Sequence, residues 1–320
     1  MPTQKKPIAG VDLGGTNIQI GIAAPGDFRL LGRAKRKTKP EDGQAAVIQR
    51  ILDGIAEACE EAKLKAADLA AVGIGAPGVI APDAGTVVEA VNLRWNNVPL
   101  AQLVTKKTGI PTVVDNDVNA AVYGENRLGA GENAPDLLGV WIGTGIGGGL
   151  ILGGRLYYGT FLSAGEIGHT ILYPGMPLGE RTVENFCSRT SVVERITRLI
   201  RQNHTSAISR LVDDDLSQVR SKTLAKAFEM NDELTHRVIN ETAELLGQAI
   251  ASTVTLLSLG RVVLGGGLTE AIGEPLVDRV KRVVRAHVFP EKARAVKVVG
   301  TKLRDDAGVL GAALLASERL

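Results

Sequence analysis

The chain has 320 residues, with 37 Lys and Arg against 35 Asp and Glu, a length that accommodates two domains. A net charge of +2 and an aromatic content of 3% exclude a dedicated nucleic-acid surface, which needs a basic face and stacking side chains. Two cysteines, Cys59 and Cys187, exclude a disulfide framework and fit a reducing cytoplasm, while the polar Met1–Pro7 stretch and the lack of any long apolar run exclude a signal peptide and a membrane span.

In chain order, Ile8–Leu13 and Ile18–Ile22 read as two strands joined by a tight Gly14-Gly15-Thr16 turn. Gln44–Lys63 is an amphipathic helix with Val47, Ile48, Ile51, Leu52, Ile55 and Cys59 on one stripe. Leu69–Ile74 is a buried strand that runs into Gly75-Ala76-Pro77-Gly78, and a strand-like Val87-Val88 precedes Asn92-Leu93-Arg94-Trp95. Pro99–Lys107 is a short helix, Pro111–Val114 a strand, and Asp117–Leu128 a helix opening at that strand's end. Leu138–Leu152 repeats the first layout around Gly143-Thr144-Gly145. Helices are expected over Glu184–Gln202, Thr223–Phe228, Glu233–Leu259, Pro275–His287 and Ala307–Leu320, with strands at Val262–Leu264 and Val296–Val299. Arg201–Asp215 is of mixed character and receives no role. Strands alternating with helices define an α/β protein.

The 38 glycines concentrate in a few clusters. Gly10-Val11-Asp12-Leu13-Gly14 lies over Gly139-Val140-Trp141-Ile142-Gly143, and both continue through a Thr beside Gly into an apolar strand. A repeat of about domain length predicts two similar domains sharing a cleft, rather than a short-period solenoid. Amides in such turns approach phosphate closely because no Cβ intervenes. Asp12 stands just before the first turn, where a carboxylate would repel phosphate unless magnesium lies between them, held directly or through water. One glycine hairpin alone is an ordinary turn; two matched copies and a third cluster at Gly265-Gly266-Gly267 point to a nucleotide. There is no Gly-Lys-Ser/Thr ending for a Walker loop, and both major loops open strands instead of the helix that a dinucleotide fingerprint requires.

Asp115-Asn116-Asp117 closes a strand and begins a helix, the place where open α/β sheets bind ligands. Asp117 is therefore a candidate to accept a proton from a substrate hydroxyl. Asp and Asn are also the usual N-cap residues, and one of the three is expected to serve so. Asn92, the turn Gly165-Glu166-Ile167-Gly168-His169, and Glu184 at a helix start add acceptors of the kind that hold a polyol.

These segments, in this order, resemble the ROK family of sugar kinases and repressors, within the actin-like ATPase superfamily, over nearly the whole chain, and look most like its bacterial glucokinases. The resemblance implies two actin-like, ribonuclease H-like domains with a cleft between them: 1–118 plus 304–320, and 119–303. It implies phosphorylation of a hexose, glucose first, at its 6-hydroxyl by ATP, with Asp117 as the base. Gly78, Asn92, Asn116, Glu166, His169 and Glu184 would bind the sugar. Asp12 would organise magnesium, Gly14, Gly15, Thr16, Thr144 and Gly145 the phosphates, and Gly265, Gly266 and Gly267 the adenosine side. It implies a cytoplasmic homodimer or homotetramer.

Most of the family carries a zinc site made by the histidine of the GH motif and a cysteine-rich segment. The corresponding stretch, Pro177–Glu184, is short and has no cysteine, and Cys187 lies beyond the matching glutamate. No zinc site is expected, and the turn must be held by packing or hydrogen bonds instead. Other ROK hexose kinases, for N-acetylhexosamine, allose or fructose, are alternatives. A sugar-sensing repressor is the remaining one, disfavoured because the first glycine loop starts about ten residues from Met1 and leaves no room for a helix-turn-helix.

Overall fold

The computed structural model describes residues 6–320, so the first five positions of the polar N-terminal stretch lie outside the described residues. The chain divides into two compact units: one contains the residues to Leu128, Tyr158–Ser163 and Asp305–Leu320, and the other Gly129–Tyr157 and Ala164–Arg304.

The first unit comprises β1 (Ile8–Leu13), β2 (Asn17–Ala23), β3 (Leu30–Lys37), α1 (Gln44–Glu61), β4 (Ala71–Ala76), β5 (Val79–Ala81), β6 (Thr86–Ala90), β7 (Trp95–Val98), α2 (Leu100–Thr108), β8 (Thr112–Asn116) and α3 (Asp117–Leu128). The second holds β9 (Leu137–Ile142), β10 (Ile146–Leu152), β11 (Arg155–Leu156), α4 (Val183–Cys187), α5 (Arg189–Arg201), α6 (Ala207–Leu211), α7 (Ser221–Glu229), α8 (Glu233–Leu257), β12 (Arg261–Gly265), α9 (Gly267–Ile272), α10 (Glu274–His287) and β13 (Lys297–Gly300). The last helix, α11 (Ala307–Arg319), belongs to the first unit.

The repeat seen in the sequence is a repeat of topology. The main sheets run β3-β2-β1-β4-β8 and β11-β10-β9-β12-β13, so each has an antiparallel hairpin followed by two parallel strands. Gly10 faces Gly21 in the first hairpin, and Gly139 faces Gly149 in the second. Both expected turns are present, at Gly14–Thr16 and Gly143–Gly145.

The core of the first unit packs α1, through Val47, Ile48, Ile51 and Ile55, on Ile18, Ile20 and Ile22 of β2. Each such buried side chain contributes about 1.5–3 kcal/mol. On the other face lies α11, buried all round from Ala307 to Ala316, as its unbroken apolar sequence requires. Close packing explains its small residues: a Cβ on Gly10 would sit 2.0 Å from the Val309 carbonyl oxygen, and one on Gly73 1.9 Å from that of Ala312. A division of the chain at 118 cuts the first turn of α3, whereas the whole helix packs with α11 in the first unit, where Gly124 and Gly311 meet.

Three local expectations are corrected. The helix expected over Glu184–Gln202 breaks at buried Ser188, which leaves helical geometry at ψ 155° and caps α5 by accepting from the Ser191 amide. β3 is an additional strand, and the strand-like Val87-Val88 run, which becomes β6, gains two further partners in β5 and β7. Arg201–Asp215 contains α6, anchored by buried Ile208.

Candidate functional site

In the first unit, the turn after β1 is pinned by Gly14 N donating to Asn17 O at 2.9 Å, and by Thr38, whose hydroxyl donates to Gly14 O at 2.6 Å and whose amide donates to Thr16 O at 3.0 Å. Gly14 and Gly15 are half-buried and Thr16 is exposed. Asn92 stands beside this turn, its Cβ 3.5 Å from where a Cβ on Gly15 would lie. Asp12 projects toward the start of α11, its Cγ 2.9 Å from the Cβ position of Gly308. Burial raises its carboxyl to about 7, and the charges of Asp117 and Asp305 add to the shift.

Asp117 opens α3, and its Oδ1 accepts from the Val118 amide at 2.9 Å. Burial raises its carboxyl to about 6 against the lowering effect of these amide bonds. Asn116 is committed on both sides of its amide group. Its Oδ1 accepts from the Asn119 amide at 3.0 Å, capping α3, and its Nδ2 donates to Gly78 O at 3.0 Å. The cap is therefore Asn116, which leaves Asp117 as a helix-start carboxyl whose pKa sits close to neutrality. Asp115 faces the other way, 1% exposed, and accepts from Tyr158 Oη and Arg319 Nη2 at 2.6 Å each.

In the second unit, the turn after β9 closes with Gly143 N donating to Gly145 O at 2.9 Å. It is braced from outside by α4 and the first turn of α5. Glu184 Oε2 accepts from the Ile146 amide at 2.7 Å and occupies the space above Gly145, 2.2 Å from where a Cβ would stand. Thr144 Oγ1 accepts from Arg189 Nη2 at 2.9 Å, Thr144 O from the Thr190 hydroxyl at 2.7 Å, and Gly143 O from the Arg189 amide at 3.0 Å. Glu184 is thus placed at the Gly143–Gly145 turn. The Glu166–His169 turn packs on β10, where a Cβ on Gly168 would lie 2.1 Å from Ile146 O; His169 is exposed. Gly265 ends β12, and Gly266, at φ 85°, lies against Ile142 at the end of β9 before Gly267 starts α9. This third glycine cluster opens a helix, unlike the two hairpins.

Asp12 suits a divalent cation chemically: a carboxyl held near 7 beside other carboxyls gains from a positive charge, and its oxygens match a hard ion. Among the described residues no group of three or more His, Cys, Asp or Glu side chains is arranged to hold a metal, so an ion at Asp12 would keep most of its waters. The shortened loop before α4 is held by its own backbone. Leu172 N and Tyr173 N donate to Arg181 O at 2.7 and 3.1 Å, Val183 N donates to Thr170 O at 3.0 Å, and Tyr173 packs edge-on against Phe186 at 4.8 Å. Cys187 is buried beneath, its thiol pushed up to about 12 by burial and pointing to Thr242 O.

The structure therefore joins Asn92 with Gly15, Asn116 with Gly78, Asp12 with Asp117 through their charges, and Glu184 with Gly145. The sequence reading missed Asp305, Arg189 and Thr190. Arg189 gave no signal in the sequence, because the break at Ser188 that makes it a helix start is visible only in the structure.

A model of the ROK family matches residues 8–319. The glucokinase of Thermotoga maritima is 32% identical over the whole of this chain and 99% of its own, and that of Halalkalibacterium halodurans is 31% identical over 97% and 94%. The crystal structure of a ROK family glucokinase from Streptomyces griseus, in complex with glucose and AMPPNP, superposes with a TM-score of 0.85 at 31% identity, covering 98% of this chain and 99% of that one.

Proposed function

The chain belongs to the ROK family, its two like-ordered sheets being the two actin-like domains, and from that premise we propose that it transfers the γ-phosphoryl group of ATP to the 6-hydroxyl of glucose. Glucose is favoured because the similar relatives are glucokinases across nearly their full length, one of them with glucose and an ATP analogue bound. The observation that carries the chemistry is Asp117, a helix-start carboxyl raised to about 6, where a general base operates well at neutral pH.

Asp117 accepts the 6-hydroxyl proton as the sugar oxygen bonds to the γ-phosphorus and the bond to the β-bridging oxygen breaks, the electron pair leaving with ADP. Such a positioned base supplies roughly 10²–10⁴ in rate. Asn116 aligns it by capping α3 and fixes Gly78, and Asn92 is proposed to contact the sugar beside the Gly15 turn. From the second unit, Glu166 and His169 are proposed sugar ligands. Glu184 is proposed as one too, through the carboxylate oxygen that does not brace Ile146. Magnesium bound at Asp12 through water would neutralise phosphate charge. Gly14, Gly15, Thr16, Thr144 and Gly145 are the proposed phosphate contacts, and Gly265–Gly267 the adenosine side.

A coupled ADP-release assay over a panel of hexoses tests this. Glucose is expected to give the highest kcat/KM, and no turnover on any hexose would refute it. Assembly as a homodimer or homotetramer in the cytoplasm is part of the proposal, and light scattering on the purified chain reads the assembly.

A further inference from the structure

Arg189 is the first residue of α5, directly after its cap Ser188. A cation at that position opposes the helix dipole, whose positive end it adjoins, and the first turn of α5 holds no acid to offset it. Arg189 is also half-buried, and among the described residues it forms no ion pair with a carboxylate. Its single side-chain hydrogen bond goes to an uncharged hydroxyl, Thr144 Oγ1, at 2.9 Å. The backbone fixes it in place, since its amide donates to Gly143 O at 3.0 Å. The fold thus holds an uncompensated guanidinium, with most of its five donors uncommitted, against the turn of the second hairpin.

Such a fork matches phosphate oxygens in a way that neither a glycine amide nor a threonine hydroxyl does. We propose that Arg189 is a direct ligand of the nucleotide's phosphate tail, completing with Thr144 and Gly145 a cationic phosphate grip on the second unit. This rests on the reading of that turn as a phosphate site.

Titration calorimetry with magnesium-AMPPNP and with adenosine, on wild type, Arg189→Ala, Arg189→Met and Arg189→Lys, tests it. Loss of a charge-assisted bond of this kind is expected to weaken AMPPNP about 10–100-fold in the Ala and Met variants. Adenosine affinity and the glucose KM stay unchanged. Lysine, which keeps the charge without the fork, is expected to lie between. Without nucleotide, Arg189→Met melts at or above the wild-type temperature, because it relieves the dipole conflict. Unchanged AMPPNP affinity in the Met variant overturns the inference while leaving the kinase reading intact. Equal loss for adenosine and AMPPNP also overturns it, since the residue would then only shape the turn. Failure of wild type to bind AMPPNP at all removes the phosphate reading, and this inference with it.

Discussion

The Ile146 amide donates to Glu184 Oε2 at 2.7 Å, and the same oxygen lies 2.2 Å from where a Cβ on Gly145 would stand, so a side chain at 145 would push the carboxylate aside. One acidic side chain thereby fixes the shape of the second hairpin's turn. Glu184→Ala leaves that amide unpaired, at about 1–3 kcal/mol. Its expected signature is a lower melting temperature together with a several-fold rise in the KM for ATP, beside the rise in hexose KM that its proposed sugar contact entails. Steady-state kinetics varying each substrate in turn measures both, and an unchanged KM for ATP is the contrary result.

Replacing Asp117 by Asn keeps the side chain's size while removing its basicity. A kcat loss of about 10²–10⁴ is expected, with circular dichroism unchanged and a melting temperature at neutral pH equal to or above that of wild type, since Asn removes a buried carboxyl. Near-wild-type turnover in the ADP-release assay would strike Asp117 from the mechanism.

The same carboxyl predicts an acid limb. As the proposed base, Asp117 would work only when ionised, and burial places its carboxyl at about 6. kcat/KM should therefore fall about tenfold per pH unit below that value and level off above it. A cation near Asp12 favours the ionised form, so raising magnesium should move the limb to lower pH. A profile flat from pH 5 to 8 contradicts the assignment.

Asp12 predicts a stability cost. Its carboxyl is near 7 in the fold against an ordinary 3.8, so the folded state holds the proton more tightly. That contribution is present below about 4 and is lost as pH rises through 7. Without metal, Asp12→Asn should be more stable than wild type at pH 8, by about 1–3 kcal/mol, with a smaller gap at pH 5. Denaturant melts in EDTA at the two pH values measure this, and a gap that does not widen with pH is the contrary result.

Asp115, buried one residue before Asn116, is neutralised by Arg319 at 2.6 Å. Arg319→Ala strands this charge and should cost about 2–4 kcal/mol, toward the low end because the arginine is itself partly exposed. Asp115→Asn with Arg319→Gln should cost less than Arg319→Ala alone. Urea unfolding of the three proteins decides it.

Much of the fold was legible in the sequence because its strongest signals are local. The hairpin turns stand between apolar runs, and the repeat survives because both central strands carry glycine at matching positions, Gly10 and Gly139. β3 was not legible: Arg33, Lys35, Arg36 and Lys37 dress it as a solvated segment, which is how an edge strand avoids pairing with other chains. The break at Ser188 was hidden because apolar spacing continues across it. In the candidate site, Asp117 and the glycine turns could be read from their neighbours in the chain. The Glu184 brace could not, since it joins residues 38 positions apart and depends on how α4 packs against β10. That Asn116 rather than Asp117 caps α3 likewise emerged only from geometry.

The glycine-lined surface of β1 and β4 is sealed by α11, a helix separated from those strands in sequence by the whole of the second unit. Covering that sheet therefore requires closing a very long loop, so the contacts of α11 with Gly10 and Gly73 are among the least local in the chain and are expected to form late in refolding.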